Sequence, residues 1–457
     1  MISATRGIQL LIWLYFWLLI FEGALRKWVF PAWSGPLLVV RDPVILATYL
    51  IALAKGIFPF NKFVVAAIVL ALLSFLSSLF VLGHIGVILY GVRTDFLYLP
   101  LIFLIPKLFS KQDVVRIGHW VLLLSIPMTV LVTWQFISPS GAWINAAAGG
   151  EFDSQLTAAG SHIRPAGVFS FVTGMVSFLS MVAAFLFGSF LERGTAPAWL
   201  RTAVIPCLML ALVLSGSRSA LASVTIIVGV VLVVCIRKLS RFQRVAAPAI
   251  LSYLVFLGFC YSPLFRQGLE VHEERIRAGE GIQRGIVGRY FGDLSESIEV
   301  SKRTPLLGYG LGVGTNAGAA LLTGSRAFLL GESEWSRIVG ECGPVLGYTY
   351  ILLRLWICWS LLRAAWKALQ RDQSIPLLLL AAAAMDLISG QFGQPTTLGF
   401  AVFTAGLALA SIDTEQCPKA LPTEQKWVQP IRGKSIVAQA ILEGNDWLRN
   451  HSLAETS

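Results

Sequence analysis

Arginines in apolar surroundings are the residues of this chain that carry the most chemical information. Arg218 lies in a polar segment, Ser215 to Ser219, between two apolar runs that are each long enough to cross a membrane. A guanidinium group at a bilayer boundary either extends to the interface as an anchor or presents its planar fork to an anion such as phosphate. Arg218 is therefore a candidate for anion binding, with anchoring as the alternative.

Arg93 lies inside an apolar segment, with Asp95 two residues further on. An arginine in the interior of a membrane helix costs roughly 3 kcal/mol on insertion scales unless it faces protein or water. Two interpretations follow for Arg93. It forms a buried ion pair, or it binds a ligand or takes part in catalysis.

Glu334, Arg337 and Glu341 are spaced three and four residues apart, just before an apolar run. On a helix this spacing places all three on one side. Carboxylates so close to a bilayer are either paired with Arg337 or poised as a base that takes a proton from a hydroxyl group. The pattern alone favours the ion pair.

Other residues give weaker chemical signals. Glycines alternate from Gly308 to Gly314, which suits a tight loop near a polar ligand, although a plain turn is the simpler interpretation. The five histidines are scattered, and the six cysteines include no Cys-x-x-Cys pair. We therefore predict no metal site, no disulfide framework and no cofactor, and no nucleic-acid-binding motif is seen.

Composition determines the class of protein that must position these residues. Of the 457 residues, 56% are hydrophobic and 13% are charged, which predicts an all-α polytopic membrane protein. Windows of about 20 residues give about twelve transmembrane helices. They cover residues 7–23, 42–58, 63–82, 85–106, 115–137, 166–190, 199–215, 219–236, 245–262, 340–362, 375–391 and 396–412.

The predicted organisation has four parts. Residues 1–262 hold helices one to nine, residues 263–339 form one large loop, residues 340–412 hold the last three helices, and residues 413–457 are a polar, partly disordered tail. Lysine and arginine in alternate short loops place both termini in the cytoplasm and the large loop outside, and they account for much of the net charge of +11. Arg26, Lys27 and Arg41 depart from this pattern, so we expect them to be paired with Glu22 and Asp42 or drawn into a site.

Three segments in a fixed order carry a family resemblance: Ser215 to Ala220, Thr304 to Gly310, and Glu341 to Gly347. Together they resemble the O-antigen ligase and O-antigen polymerase superfamily over roughly residues 80–410. Members of that superfamily are bacterial inner-membrane glycosyltransferases of the GT-C type, with about a dozen helices and one large periplasmic loop. The resemblance therefore implies a GT-C-like fold whose loop faces the periplasm.

The resemblance also implies roles for individual residues. Arg218 matches the arginine that engages the pyrophosphate of a polyprenyl-linked glycan, and Arg93 looks like the arginine of the fourth span. Ligases usually place a histidine base where this chain has Glu332 and Ser333, so Glu332 or Glu334 would act instead. The resulting catalytic candidates are Glu332, Glu334 and Arg218, and the substrate-binding candidates are Arg93, Arg164, Arg218, Arg289, Arg303 and Arg337.

The implied function is metal-independent glycosyl transfer. The enzyme would polymerise undecaprenyl-pyrophosphate-linked oligosaccharide repeat units on the periplasmic face, in O-antigen or exopolysaccharide assembly. Its partners would be the lipid-linked glycan donor, a glycan acceptor, the bilayer and other polysaccharide-assembly proteins. One alternative is a ligase that moves the glycan to a lipid or protein acceptor. The other is a flippase or transporter, which predicts internal symmetry and charged residues near the midplane of several helices.

Overall fold

The computed structural model describes residues 2–150, 163–192, 194–278, 282–324, 330–331 and 333–413. Side chains are described throughout these ranges except at residues 2–5, 239, 275–276, 278 and 282–291. The described residues form helices joined by loops, and no β-sheet occurs among them. The predicted tail lies outside the described residues apart from its first residue, 413.

Seventeen α-helices follow one another along the described chain. They are α1 (Ile2–Ala24), α2 (Ser34–Leu37), α3 (Arg41–Ala54), α4 (Lys62–Val81), α5 (Ile85–Val92), α6 (Leu99–Leu108), α7 (Lys111–Ile137), α8 (Val172–Leu191), α9 (Ala198–Leu214), α10 (Arg218–Arg237), α11 (Leu239–Phe259), α12 (Pro263–Ala278), α13 (Ile282–Arg303), α14 (Asn316–Thr323), α15 (Glu334–Gln370), α16 (Ile375–Ser389) and α17 (Pro395–Ala410). Two π-helical segments, Leu25–Val29 and Arg93–Leu97, and two short 3-10 turns complete the helical structure.

The apolar helices make this an all-α multi-pass membrane protein. Among the described residues, eight helices are long and apolar enough to cross a membrane, or nine if the bent pair α5 and α6 forms one span. A helix lies at each of the twelve predicted positions. Three further helices at these positions, α9, α16 and α17, are apolar but have only 17, 15 and 16 residues.

Contacts between helix termini divide the bundle into two ends. At one, which we call the loop end, Ser77 Oγ near the end of α4 donates to Leu307 O at 3.0 Å, and Trp335 Nε1 donates to Ile388 O at 2.9 Å. At the opposite end, Lys107 Nζ of α6 donates to Ile57 O at 3.1 Å. The segment just after α13 and the first turn of α15 therefore approach the same end of the bundle.

The shorter helices α16 and α17 also run between these two ends. Before α16, Ser374 N donates to Glu192 Oε1 at the opposite end, at 2.6 Å, and α16 finishes beside Trp335 at the loop end. Gln394, just before α17, accepts a 2.6 Å hydrogen bond from Thr173 at the start of α8, and Asp413 N beyond α17 donates to Gln373 at 2.9 Å. Both helices lie in the core of the bundle, where most of their residues are buried.

Helix α15 folds back on itself at Gly343, which corrects the predicted continuous helix over 340–362. Gly343 has φ +79° and ψ 167°, a non-helical conformation, and Pro344 follows it. Arg354 Nη1 donates to Glu334 Oε1 at 2.8 Å, although a straight helix would separate residues 20 positions apart by about 30 Å. Residues 334–342 therefore run antiparallel to the helix that begins after the bend.

The alternating glycines pack against this bend, which is more than the plain turn favoured by the sequence. Tyr309 N donates to Gly340 O and Gly310 N donates to Glu341 O, each at 2.9 Å. The bend leaves these carbonyls without helical partners. A Cβ atom at Gly308 would lie 2.2 Å from Glu341 O, so this approach requires glycine.

Replacing Gly308 with alanine tests that packing. Gly308 has φ +74° and Gly56, at the opposite end, has φ +65°, but a Cβ atom at Gly56 meets nothing within 4 Å. We expect Gly56→Ala to lower the free energy of unfolding by about 1 kcal/mol from backbone strain alone, and Gly308→Ala to lower it by at least about 2 kcal/mol more because of the collision. Thermal unfolding of the detergent-solubilised protein measures both values, and equal losses would contradict the packing described here.

Candidate functional site

A buried cluster of charges surrounds Arg337 at the loop end. Its guanidinium donates to Asp95 Oδ1 (2.7 Å, from Nη2), to Glu341 Oε1 (3.0 Å, from Nη1) and to Glu334 Oε2 (3.1 Å, from Nε). The three carboxyl side chains have no solvent exposure. The ion pairs that the sequence spacing favoured for Glu334, Arg337 and Glu341 are thus confirmed, and Asp95 adds an unexpected third acid.

Asp95 reaches the cluster from the π-helical segment Arg93–Leu97, at the bend between α5 and α6. Such wide helical turns are frequent at functional sites. Asp95 pairs with Arg337 rather than with its sequence neighbour Arg93. Its second oxygen, Oδ2, is fully buried and has no hydrogen-bond partner among the described residues.

Arg354 is the member of the cluster that sequence reasoning missed. It donates to Glu334 Oε1 at 2.8 Å and to Leu387 O at 2.8 Å, and its guanidinium carbon lies 3.7 Å from the ring centre of Phe392. An arginine inside the apolar run after Pro344 is itself a signal of function, because ionisable residues within membrane helices are costly. Arg354 thereby ties the folded-back segment of α15 to the end of α16.

Glu341 is also held by backbone donors. Gly312 N donates to its Oε2 and Gly314 N to its Oε1, each at 2.9 Å. Both oxygens of Glu334 likewise accept hydrogen bonds, from the guanidinium groups of Arg337 and Arg354. A carboxylate whose two oxygens both accept hydrogen bonds acts as a stabilising counter-ion. Few of its lone pairs remain to accept a proton from a substrate.

A small cleft that is open to solvent lies beside this cluster. Glu334 and Arg337 form its floor, and backbone at Gly314, Gly331 and Gly393 contributes to its walls. Five side chains with hydrogen-bonding groups complete the lining: Thr315, Asn316, Ser333, Gln391 and Gln394. Several of these groups are partly used within the protein: Thr315 donates to Gly312 O, and Gln394 donates to Gln391. Hydroxyl and amide groups have more than one hydrogen-bonding position, so the positions left over can bind a ligand that carries hydroxyl groups.

A second buried charge cluster lies at the start of α3. Arg93 Nε donates to Asp42 Oδ2 at 2.5 Å, and Tyr98 Oη donates to Asp42 Oδ1 at 2.5 Å. Glu22 accepts from Arg41 at 2.9 Å and from Arg26 at 3.3 Å. Arg26 and Arg41 were predicted to be paired with Glu22 and Asp42 or drawn into a site. Their contacts with Glu22 confirm this prediction.

Lys27 belongs to the same region but is bound by carbonyl groups. Its Nζ donates to Gly167 O at 3.0 Å and to Phe169 O at 3.1 Å, and the side chain is buried. These carbonyls belong to the segment that contains the binding candidate Arg164. The segment after α1 is thereby joined to the segment that enters α8, with Arg164 half-buried in it.

The remaining predicted site residues lie in different environments. Arg218 begins α10 with an exposed side chain, and Ser223, farther along this helix, donates to Met385 of α16 at 3.3 Å. Arg303 ends α13, is 77% exposed and pairs with Glu299. Arg289 lies in α13, but its side chain is outside the described set, and Glu332 is not among the described residues. Of the substrate-binding candidates, Arg337 alone is shown lining the cleft.

No protein-family model and no curated protein sequence matches this chain. The interpretation of the cleft therefore depends on its own residues. Within the described ranges no group of three or more histidine, cysteine, aspartate or glutamate residues could hold a metal ion.

Breaking the Arg337 cluster should be costly, because its carboxylates would be left buried without their partner. We expect Arg337→Met to lower the free energy of unfolding by about 3–5 kcal/mol, as for other buried pairs that lose one member. Arg303→Met is the matched control: its pair with Glu299 is exposed, and its loss should cost at most about 1 kcal/mol. Chemical unfolding in detergent measures both, and a similar small loss for the two variants would contradict the role given to Arg337.

Proposed function

We propose that the protein is a metal-independent glycosyltransferase that polymerises undecaprenyl-pyrophosphate-linked oligosaccharide units. The observation that carries the proposal is the cleft at the loop end, whose hydroxyl and amide walls rise from a charged floor. Sugars present many hydroxyl groups, and such walls can satisfy them without excess charge. The resemblance of three segments to the O-antigen ligase and polymerase superfamily names the substrate class.

Arg218 would bind the donor's pyrophosphate. Its exposed guanidinium stands at the first turn of α10, where the helix's free N–H groups also favour an anion. A planar guanidinium can donate two parallel hydrogen bonds to phosphate oxygens. The departing pyrophosphate would thereby be stabilised as its charge develops during transfer.

Under this proposal Glu334 and Glu332 have different roles. Glu334 has both oxygens occupied by arginines, which favours a function in holding the cleft floor over one as a base. The base must then come from another group, and Glu332 keeps its place among the sequence-derived candidates. The substrates would be a lipid-linked glycan donor and a sugar hydroxyl acceptor.

The proposed orientation follows from the two ends of the bundle. Lysines and arginines at the opposite end favour the cytoplasm, so both termini would be cytoplasmic and the loop end would face the periplasm of a bacterial inner membrane. All twelve helices would then cross the bilayer, including α9, α16 and α17. The helices α16 and α17 each run from one end of the bundle to the other, which supports twelve crossings.

A lipid-linked glycan transporter is the second candidate. Buried ionisable residues on several helices favour it, including Asp95 at the bend between α5 and α6 and Arg354 within α15. In this structure Asp95 is paired with Arg337, and Arg354 with Glu334, which accounts for both without a transported ion. The ligase reaction, which transfers the glycan to a lipid or protein acceptor, would bind the lipid-linked donor in the same way. It would differ from polymerisation in its product.

Arg218→Lys separates pyrophosphate binding from simple anchoring. Lysine keeps the charge but loses the bidentate fork, so we expect the rate of glycan transfer to fall about tenfold or more, since one charge-assisted hydrogen bond contributes about 1.5–3 kcal/mol. The matched control is Arg116→Lys at the opposite end, where the arginine is 66% exposed. Transfer is assayed in membrane vesicles at equal protein level, and an unchanged rate for Arg218→Lys would remove the assigned role.

The lipid-linked glycans of a deletion strain distinguish the candidate functions. Mass spectrometry of the lipid extract should show accumulated single repeat units if the protein is a polymerase. Accumulated long polymer would indicate a ligase instead. An unchanged pool would contradict both forms of glycosyl transfer.

A further inference from the structure

Asp386 is an acidic residue at the loop end that belongs to neither of the charge clusters described above. It lies in the last turn of α16, at the loop end, and its side chain is half-buried. Its Oδ2 accepts a 2.7 Å hydrogen bond from Ser177 Oγ of α8. Its other oxygen, Oδ1, accepts no hydrogen bond from the described residues and is not among their fully buried polar atoms. One oxygen is therefore fixed while the other can receive a proton.

The neighbouring acids lack this combination. Glu334 and Glu341 have both oxygens engaged by arginines or backbone N–H groups. The spare oxygen of Asp95 is fully buried. Glu296 of α13 is the nearest rival, since it accepts from Ser336 through one oxygen at 2.9 Å.

The location of Asp386 favours it over Glu296. Its neighbour Met385 contacts Ser223 of α10, the helix that begins with Arg218. On its other side, Ser177 lies one helical turn from Thr173, whose hydroxyl donates to the cleft residue Gln394. These contacts connect Asp386, which does not itself line the cleft, to α10 on one side and to a residue of the cleft wall on the other.

We propose that Asp386 is the catalytic base, an inference that rests on the glycosyl transfer proposed above. The acceptor hydroxyl oxygen forms a bond to the anomeric carbon while that carbon's bond to the pyrophosphate oxygen breaks. The electron pair of the broken bond leaves with undecaprenyl pyrophosphate. The hydroxyl proton passes to Oδ1 of Asp386, so charge and atoms balance without a further reactant.

Two neighbours would act as positioning residues for this base. Ser177 donates to Oδ2 and so restricts rotation of the carboxylate. Arg354 Nη2 donates to the backbone carbonyl of Asp386 at 3.0 Å and fixes the last turn of α16 against the buried charge cluster. The charged floor of the cleft and the proposed base are therefore parts of one hydrogen-bonded arrangement.

The test measures transfer in vesicles that contain the full-length protein, with the lipid extract of the deletion strain as donor and acceptor. We expect Asp386→Asn to lower the rate about 100-fold or more at equal protein level, as for loss of a general base. Asp372→Asn is the matched control, because Asp372 is 56% exposed at the opposite end and its positive φ suits asparagine. A rate for Asp386→Asn within threefold of the wild type would overturn the proposal.

Added formate separates a chemical role from a structural one. Asp386→Ala leaves space for a small carboxylate, and formate should raise its rate at least fivefold while leaving the wild type unchanged. No rescue would overturn the assignment, since a merely structural aspartate gains nothing from an external base. Glu296→Gln should keep most of its activity, and a 100-fold loss there with an active Asp386→Asn would give the role to Glu296.

Ser177→Ala decides the matter if the Asp386 variants do not accumulate in the membrane. It keeps the carboxylate and should slow transfer about tenfold, and an unchanged rate would overturn the proposal. Failure of the proposed function has a different signature: the deletion strain's lipid-linked pool is unchanged and the wild-type vesicles transfer nothing. Full transfer by Asp386→Asn with loss in Arg218→Lys refutes the base alone.

Discussion

The constraint on which the rest of the structure depends is the need to neutralise buried charge around Arg337 and Arg354. An ion inside the bundle without a partner costs several kcal/mol, so these two arginines and the three acids beside them must meet. The meeting requires α15 to reverse at Gly343, because Glu334 and Arg354 are otherwise far apart. The reversal in turn exposes carbonyl groups that the glycine segment satisfies. The cleft exists because of this path of the chain.

The sequence predicted the parts of the structure that depend on local spacing. The positions of the helices follow apolar runs, and the contacts of Arg337 with Glu334 and Glu341 follow the helical period of three and four. The contact between Arg337 and Asp95 joins residues 242 positions apart, and no periodicity reports it. The bend at Gly343 was not predicted, because glycine followed by proline permits a break but the direction of the chain after it depends on tertiary pairing. The role of Glu332 remains a prediction from its place in the motif.

Arg93 and Asp95 show how one short segment serves two charge clusters. Residues two apart on a helix point to nearly opposite sides, so Arg93 turns to Asp42 while Asp95 turns to Arg337. The proximity of opposite charges in the sequence suggested a pair, yet helical geometry forbids it. The segment instead connects the start of α3 with the floor of the cleft. A shift of this segment would disturb both clusters at once.

Helices α16 and α17, at 15 and 16 residues, span about 22–24 Å, less than the hydrocarbon thickness of about 30 Å. A lipid-facing helix this short would thin the bilayer or tilt its neighbours. These two helices are surrounded by protein, so longer outer helices such as α4 and α7 match the membrane in their place. Hydrophobic mismatch should therefore act first on the outer helices. We expect the cleft, whose supporting helices are surrounded by protein, to change less than the rim when bilayer thickness changes.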